Sequence, residues 1–125
     1  MNTSNWTTDQ MYTLLNESIR SGMTELLVLH LLSQRDAYGY EIYKALTERT
    51  EGVFTFYHTA VYTYLRRMRL KGLIDVSENA PAQPTTARHM VYYTITEEGR
   101  RYLEHGIDQA KQVYASAFKF LGETF

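Results

Sequence analysis

The sequence contains no cysteine, which excludes thiol catalysis, disulfide bonds and cysteine-ligated zinc. Its longest apolar run, Leu26 to Leu32, is interrupted by His30 and is far shorter than the roughly 20 residues of a membrane-spanning helix. The first residues lack the basic and apolar regions of a signal peptide. We therefore expect a cytoplasmic protein with no membrane partner, and a length of 125 residues fits one compact domain.

The residue patterns of enzymes are also missing. There is no glycine-rich phosphate loop, no serine in a nucleophile-elbow context and no conspicuous pair of carboxylates. His30, His58 and His105 lack the i, i+4 spacing of a helical metal site, and we expect His30 to be a buried, hydrogen-bonded residue. The sequence predicts no enzyme, no metal site and no cofactor.

Positive charge is scarce overall but unevenly distributed. The formal net charge is -1, whereas residues 57–101 hold seven Lys or Arg against four acidic residues. The rest of the chain holds six basic and ten acidic residues. This asymmetry suits a molecule with one face toward phosphates, although charged faces are often only solvated.

Hydrophobic periodicity predicts three helices in the first half of the chain. The first begins at Thr7 or Thr8 and ends at Gly22, and the second runs from Thr24, as its cap, to Ser33. The third has its apolar stripe from Tyr38 onward and stops at Glu51 and Gly52.

A helix and a β-hairpin are predicted next. Residues 53–56 form either a small strand or an extended linker, and a fourth helix runs from about His58 to Leu70, with Gly72 as its stop. Val61, Leu65 and Met68 form the inward face of this helix. β-rich runs at 73–76 and 90–95 flank a polar loop with two prolines, residues 80–86, and indicate a hairpin.

The last helix is predicted from its cap at Thr96 to Leu121, with Glu97 and Glu98 in its first turn. About 25 residues give a helix about 37 Å long, which is longer than this small domain needs to cover its core. Its apolar residues recur in steps of four and three, as in a coiled-coil seam, which indicates a partner helix. The seam consists of Leu103, Ile107, Ala110, Tyr114, Ala117 and Leu121.

The predicted fold class is mainly α with a small β-hairpin. The element order is that of a winged helix-turn-helix with an extra N-terminal helix and a long C-terminal dimerisation helix. The predicted divisions are an N-terminal dimer arm at 1–22, a winged helix-turn-helix domain at 23–96 and the dimerisation helix at 97–125.

Three motifs in this order resemble the PadR family of transcriptional regulators. The first is Tyr38 to Ile42, a Tyr-Gly-Tyr-Glu-Ile signature after an apolar helix. The second is AVYTYLRRMRLKGLI, residues 60–74, which resembles the family's recognition helix and the strand after it. The third is Tyr92, Tyr93 and Thr96 to Gly99, at the return strand and the cap of the last helix. The match covers roughly residues 22–103.

The chain departs from the family pattern at two places. Residues 57–60 read Tyr-His-Thr-Ala where many members have Ser-Pro-Gly-Thr, and the hairpin tip carries no charge before Arg88. The HTAVYTYL stretch is also similar to replication terminator proteins, another winged-helix family that dimerises through a long C-terminal helix.

The resemblance implies a double-stranded DNA partner, and helical geometry selects residues for it. With Leu65 inward, five side chains of the fourth helix point mainly outward and Tyr62 lies at the boundary; the five are Thr59, Thr63, Arg66, Arg67 and Leu70. Tyr62 resembles a family tyrosine that contacts the DNA backbone. As alternatives to DNA contact, the arginines are ordinary solvated charges and Tyr38 packs in the core. The predicted DNA-binding residues are Tyr38, Tyr40, Thr59, Tyr62, Thr63, Arg66, Arg67, Arg88 and His89.

The second predicted partner is another copy of the same chain. Met11 and Leu15 of the first helix are predicted to contribute to this homodimer interface together with the seam of the last helix. The aromatic residues Trp6, Tyr114 and Phe118 form either a dimer core or a pocket for a small aromatic or hydrophobic effector, as in some PadR-like proteins.

The predicted function is repression of transcription by a homodimer on a pseudo-palindromic operator, with effector release. Two alternatives stay open: a replication-terminator-like or architectural DNA-binding protein, and a winged-helix protein-interaction module. The acidic net charge and uncharged hairpin tip favour the last of these.

Overall fold

The computed structural model describes residues 5–54, 59–78 and 90–124, which form four helices and three short strands. The elements, in chain order, are α1 (Thr8–Gln34), β1 (Ala37–Tyr38), α2 (Gly39–Arg49), α3 (Ala60–Leu70), β2 (Ile74–Val76), β3 (Tyr92–Ile95) and α4 (Glu97–Leu121). The predicted fold class, a mainly helical winged helix-turn-helix, is confirmed.

One continuous helix, α1, replaces the two helices predicted before residue 34, so the prediction of a break at Gly22 was wrong. A single interior glycine costs a helix only about 1 kcal/mol, and apolar residues follow it without a proline. Thr24 caps nothing, because its hydroxyl donates to the carbonyl of Arg20 at 3.0 Å within the helix. The predicted division after residue 22 therefore falls inside a helix.

The predicted start of this helix is confirmed. The backbone N–H of Gln10 donates to the Thr7 hydroxyl at 3.1 Å, and the Gln10 side chain accepts from the Thr7 N–H at 2.8 Å. This reciprocal pair satisfies two backbone donors that the first turn leaves free.

The hydrophobic core lies between the second half of α1, the inner faces of α2 and α3, the sheet and the start of α4. Val61, Leu65 and Met68 are at most 1 % exposed, which confirms the predicted inward face of α3. Other completely or almost completely buried side chains are Val28, Leu29, Leu32, Ile42 and Ile74. Leu103, predicted to contact a partner, is 8 % exposed and packs in this core, and it also lines the groove between α1 and α4.

The sheet contains one strand that the sequence analysis missed. Its order is β1-β3-β2 with antiparallel pairs, and Ile74 lies opposite Ile95 while Tyr38 lies opposite Tyr92. The predicted hairpin is β2 and β3. The strand β1 has two residues, too few to show an alternating pattern, and it places Tyr38 before α2 rather than inside it.

The segments around α3 follow the prediction in part. The helix α2 ends at Arg49, before Glu51 and Gly52, and α3 ends at Leu70, before Gly72 with its φ of 78°. The start of α3 is Ala60 rather than about His58, which lies outside the described residues. Residues 51–54 form a turn and no strand, and residues 55 and 56 also lie outside the described part.

The start of α4 is fixed directly onto the turn that follows α3. The Thr96 hydroxyl accepts from the N–H of Gly99 at 3.0 Å, which confirms its predicted role as cap, and donates to the carbonyl of Gly72 at 2.7 Å. The Thr96 N–H donates to the carbonyl of Leu73 at 3.1 Å. Gly99 packs so closely on the Leu73 carbonyl that a Cβ at residue 99 would overlap it.

The outer parts of the two long helices extend beyond the core. Residues 5–19 and 111–124 are exposed along their whole length, although many of them are apolar. None of the helices in the described residues combines the length and the apolar character needed to cross a membrane.

We expect Gly99→Ala to destabilise the protein. The new Cβ would meet a backbone carbonyl, which cannot rotate away, and overpacking of this kind lowers the free energy of unfolding by about 1–3 kcal/mol. Urea unfolding followed by circular dichroism measures the change.

The matched control is Gly22→Ala, because nothing lies within 4 Å of a Cβ at that position of α1. In a continuous helix this substitution raises the free energy of unfolding by about 0.5–1 kcal/mol. If Gly99→Ala is as stable as the wild type, the close contact between residue 99 and the Leu73 carbonyl is contradicted. If Gly22→Ala is less stable than the wild type, the continuous helix α1 is contradicted.

Candidate nucleic-acid interface

The outward face of α3 presents most of the predicted groove residues together. Thr63, Arg66 and Arg67 are exposed on the side away from the buried Leu65, and Tyr62, at the edge of this face, is 41 % exposed. Thr59 is exposed at the N-cap position, with no side-chain hydrogen bond to the helix. The face combines hydroxyl groups in the first turn with positive charge in the second.

The arginine side chains of α3 differ in their contacts with neighbouring side chains. The guanidinium of Arg67 lies 5.0 Å from the centre of the Tyr64 ring, and Arg69 pairs with Asp75 at 3.3 Å. Arg66 forms no ion pair with the residues that the structure describes. Because its charge is not compensated by an acidic neighbour there, Arg66 is the arginine of α3 most available to a phosphate.

A cluster of three side chains links the end of α3 to both long helices. Lys71 Nζ lies 2.9 Å from a carboxylate oxygen of Glu25 on α1, and the Tyr102 hydroxyl on α4 donates to the other oxygen at 3.2 Å. The hydrogen bond to Glu25 raises the pKa of Lys71, and burial raises the pKa of Tyr102. Both shifts favour the protonated, hydrogen-bond-donating forms, which lysine and tyrosine already adopt at neutral pH.

The start of α2 lies beside the sheet and carries two predicted contacts, Tyr38 and Tyr40. The N–H of Tyr38 donates to Glu41 at 3.2 Å, and Glu41 pairs with Arg35 at 3.4 Å. The Tyr38 ring packs edge-on against Tyr92 with ring centres 5.2 Å apart, so much of this ring is engaged in packing. Tyr40 is 47 % exposed.

Two predicted DNA-binding residues, Arg88 and His89, lie outside the described residues, as does the hairpin tip at 80–86. Their contact with DNA stays a prediction. His30 is exposed, contrary to expectation, and its ring nitrogen lies 3.1 Å from Nε2 of Gln34. Among residues 5–54, 59–78 and 90–124, no group of acidic and histidine side chains is arranged to hold a metal ion.

The predicted dimer residues divide into two groups. Met11, Leu15, Ile107, Tyr114 and Leu121 are large apolar side chains with exposed fractions from 38 % to 72 %. Ala117 is also exposed, whereas Leu103 and, in part, Ala110 pack against the core of their own chain. Helical periodicity identifies an apolar stripe but does not show which part of it the same chain covers.

The three predicted effector residues lie on different surfaces of the described part of the chain. Trp6 lines a shallow concavity along the start of α1, together with Asp9 and Leu14. Tyr114 lines a groove of about 260 Å³ between α1 and α4, and Phe118 is 70 % exposed beyond it.

Sequence reasoning missed the Glu25, Lys71 and Tyr102 cluster and the pair of Arg35 with Glu41. Glu25 is 46 residues from Lys71 and 77 from Tyr102, so no helical spacing rule connects them. Arg35 and Glu41 are six residues apart on different elements, and only the turn between α1 and α2 brings them together.

Comparison with known proteins agrees with this architecture. The model of the transcriptional regulator PadR-like family matches residues 28–105. A PadR family transcription regulator of Clostridium difficile has 30 % sequence identity and a TM-score of 0.66, over 79 % of this chain and 98 % of that chain. A transcriptional regulator of Clostridium thermocellum has 26 % identity and a TM-score of 0.71, over 82 % of this chain and 94 % of that chain.

Curated relatives match at similar identity. Uncharacterized protein X of Lysinibacillus sphaericus is 27 % identical over 105 residues, which are 80 % of this chain and 89 % of the relative. Transcriptional regulator YqjI of Escherichia coli is 28 % identical over 92 residues, which are 74 % of this chain but only 41 % of that longer protein. Since the family match covers more than half of the sequence, the chain belongs to the PadR-like family of transcriptional regulators.

Proposed function

We propose that this protein is a transcriptional repressor that binds duplex DNA as a homodimer on a pseudo-palindromic operator. The observation that carries the proposal is the outward face of α3, where exposed hydroxyl and guanidinium groups lie opposite a completely buried apolar face. An α-helix with such a face fits the major groove of B-DNA, whose base edges it reads with the residues of its first turns.

The residues of α3 take different roles in this proposal. Thr59 and Thr63 lie toward the start of the helix and contact base edges through hydroxyl and methyl groups. Arg66 contacts a phosphate or a guanine. Arg67 lies over the Tyr64 ring, which restricts its reach and suits a phosphate contact.

Further contacts, from the start of α2, from Tyr62 at the edge of α3 and from the residues after the hairpin tip, position the protein on the duplex. Tyr40 and Tyr62 present exposed rings whose hydroxyl groups donate to phosphate oxygens. Tyr38 is the weaker candidate, because its ring packs against Tyr92. Arg88 and His89 follow the hairpin tip and contact the minor groove or its phosphates.

Exposed apolar surface supports the homodimer. The outer half of α1 and the last three turns of α4 expose Leu14, Ile19, Phe118 and Phe120 besides the predicted seam residues. Contiguous apolar surface on this scale marks an interface, because water solvates it poorly. We infer that a second copy covers it, so that two α3 helices reach successive major grooves about 34 Å apart.

Repression follows from occupancy of a promoter, which blocks the polymerase. An aromatic or hydrophobic effector bound near Trp6, Tyr114 and Phe118 of the dimer releases the operator by favouring a spacing of the α3 helices that DNA does not fit. Effector and operator then weaken each other's binding by the same factor.

We expect Arg66→Ala and Arg67→Ala to weaken binding to duplex DNA from the region upstream of the protein's own gene. Each lost phosphate contact reduces the slope of log affinity against log salt by about one unit, because one fewer counterion is released. Fluorescence anisotropy titrations at two or more salt concentrations measure both effects.

The control is Arg101→Ala, which removes the same charge from α4, where Arg101 pairs with Glu97 and Glu98 at 3.5 and 2.7 Å. It should keep the wild-type slope. Unchanged slopes for Arg66→Ala and Arg67→Ala would remove both residues from the interface. If the wild type shows no salt-dependent binding to DNA, the result would favour a protein-interaction module. If its DNA-binding sites cluster at a replication terminus, the result would favour a protein that arrests replication forks.

The dimer is tested with Ile107→Asp. A carboxylate in an apolar interface loses hydration without a partner, so we expect the mass measured by light scattering to fall from two chains to one. The control Gln112→Asp places the same charge about 140° around α4 from Ala117 and about 180° from Leu121, and it should stay dimeric. If Ile107→Asp keeps the mass of two chains with its helicity unchanged, the proposed dimerisation through the seam is contradicted.

A further inference from the structure

The ring of Tyr62 occupies the space that a side chain at residue 39 would need. Gly39 is the buried first residue of α2, and Tyr62 lies in the first turn of α3. A Cβ at residue 39 would lie 2.5 Å from Cε1, 2.6 Å from Cζ and 2.7 Å from the hydroxyl oxygen of Tyr62. Non-bonded carbon atoms pack at about 3.5–4.0 Å, so the ring and a Cβ cannot occupy these positions together.

The contact with Gly39 determines the position of the hydroxyl end of the Tyr62 side chain. The three atoms nearest to the missing Cβ are all at or beside the hydroxyl, whereas the Cα end of the side chain is fixed by α3. Any residue larger than glycine would therefore rotate the ring and move its hydroxyl, while the helix backbones can stay in place.

The surroundings of this hydroxyl suit a phosphate. Glu41, in the first turn of α2, holds the N–H of Tyr38 and pairs with Arg35, so its negative charge is compensated. Tyr40 is the next residue of α2 after Gly39 and is 47 % exposed, and Tyr62 itself remains 41 % exposed. The ring thus reaches from the edge of α3 to the start of α2, beside the exposed Tyr40.

We propose that Gly39 is a positioning residue for DNA binding. The absence of a side chain there lets the Tyr62 ring lie across the start of α2, where its hydroxyl donates a hydrogen bond to a phosphate oxygen. Gly39 touches no DNA itself. The inference rests on the proposed DNA-binding function and assigns to this glycine a role that goes beyond close packing.

The experiment measures affinity for a duplex from the region upstream of the protein's own gene, by anisotropy at several salt concentrations. We expect Tyr62→Phe and Gly39→Ala each to weaken binding about tenfold, the size of one hydrogen bond to a charged group. Their salt slopes stay at the wild-type value, because a neutral hydroxyl releases no counterion. Tyr93→Phe, which removes a hydroxyl from a tyrosine packed against the core, should keep wild-type affinity.

A double-variant comparison separates positioning from a general structural role. Once Tyr62→Ala has removed the ring, adding Gly39→Ala should cause no further loss of affinity, because the Cβ then has room. If Gly39→Ala alone does not fold, Gly39→Ala with Tyr62→Ala should fold for the same reason.

Three results would overturn the inference: wild-type affinity of Tyr62→Phe, an equal loss from Gly39→Ala with and without the Tyr62 ring, or a double variant that stays unfolded. Each leaves the proposed function intact if the wild type binds the duplex. If the wild type shows no salt-dependent binding to the duplex, the proposed function fails and this inference fails with it.

Discussion

The junction between α3 and α4 is the contact on which the rest of the molecule depends. Gly99 packs on the Leu73 carbonyl, and Thr96 bonds to Gly72 and Leu73, so the long last helix begins directly on the turn that ends α3. Because these contacts involve backbone atoms, α4 has little freedom to change its angle relative to α3. The position of α3 relative to α4 is therefore fixed by the fold, and whatever holds α4 also determines where α3 lies.

The cluster of Glu25, Lys71 and Tyr102 adds α1 to this junction. Lys71 follows α3 immediately, and its partners lie on the two helices whose outer parts are exposed and apolar. In the proposed dimer, a change in how those helices pack against a second copy would reach the end of α3 through charged and hydrogen-bonded contacts as well as through the core. This connection is the physical basis on which an effector near the helices would alter DNA binding.

Local chemistry made much of the fold predictable from the sequence. The caps at Thr7 and Thr96, the stops before Gly52 and Gly72 and the inward face of α3 depend only on residues a few positions apart. The break assumed at Gly22 was wrong because a single interior glycine costs a helix only about 1 kcal/mol and no proline follows it. The two-residue strand β1 was missed because it is defined by its partner β3, more than 50 residues later.

The candidate site was predictable only in outline. Periodicity placed Thr63, Arg66 and Arg67 on one exposed face, but it did not show that Arg67 lies over Tyr64 or that Leu103 belongs to the core. The contact of Gly39 with Tyr62 joins two elements 23 positions apart and has no signature in composition. Such features depend on the packing of helices against each other, which a single sequence does not specify.

The central claim is that a two-fold dimer holds two α3 helices at the spacing of successive major grooves. The absence of native cysteine allows one spin label per chain, attached through Leu70→Cys at the end of α3, where Leu70 is 82 % exposed. Pulsed electron paramagnetic resonance on the labelled protein bound to upstream DNA should give a single distance that fits two α3 helices one helical turn of the duplex, about 34 Å, apart. Absence of dipolar coupling, or a distance that this spacing of the α3 helices cannot give, would contradict the account.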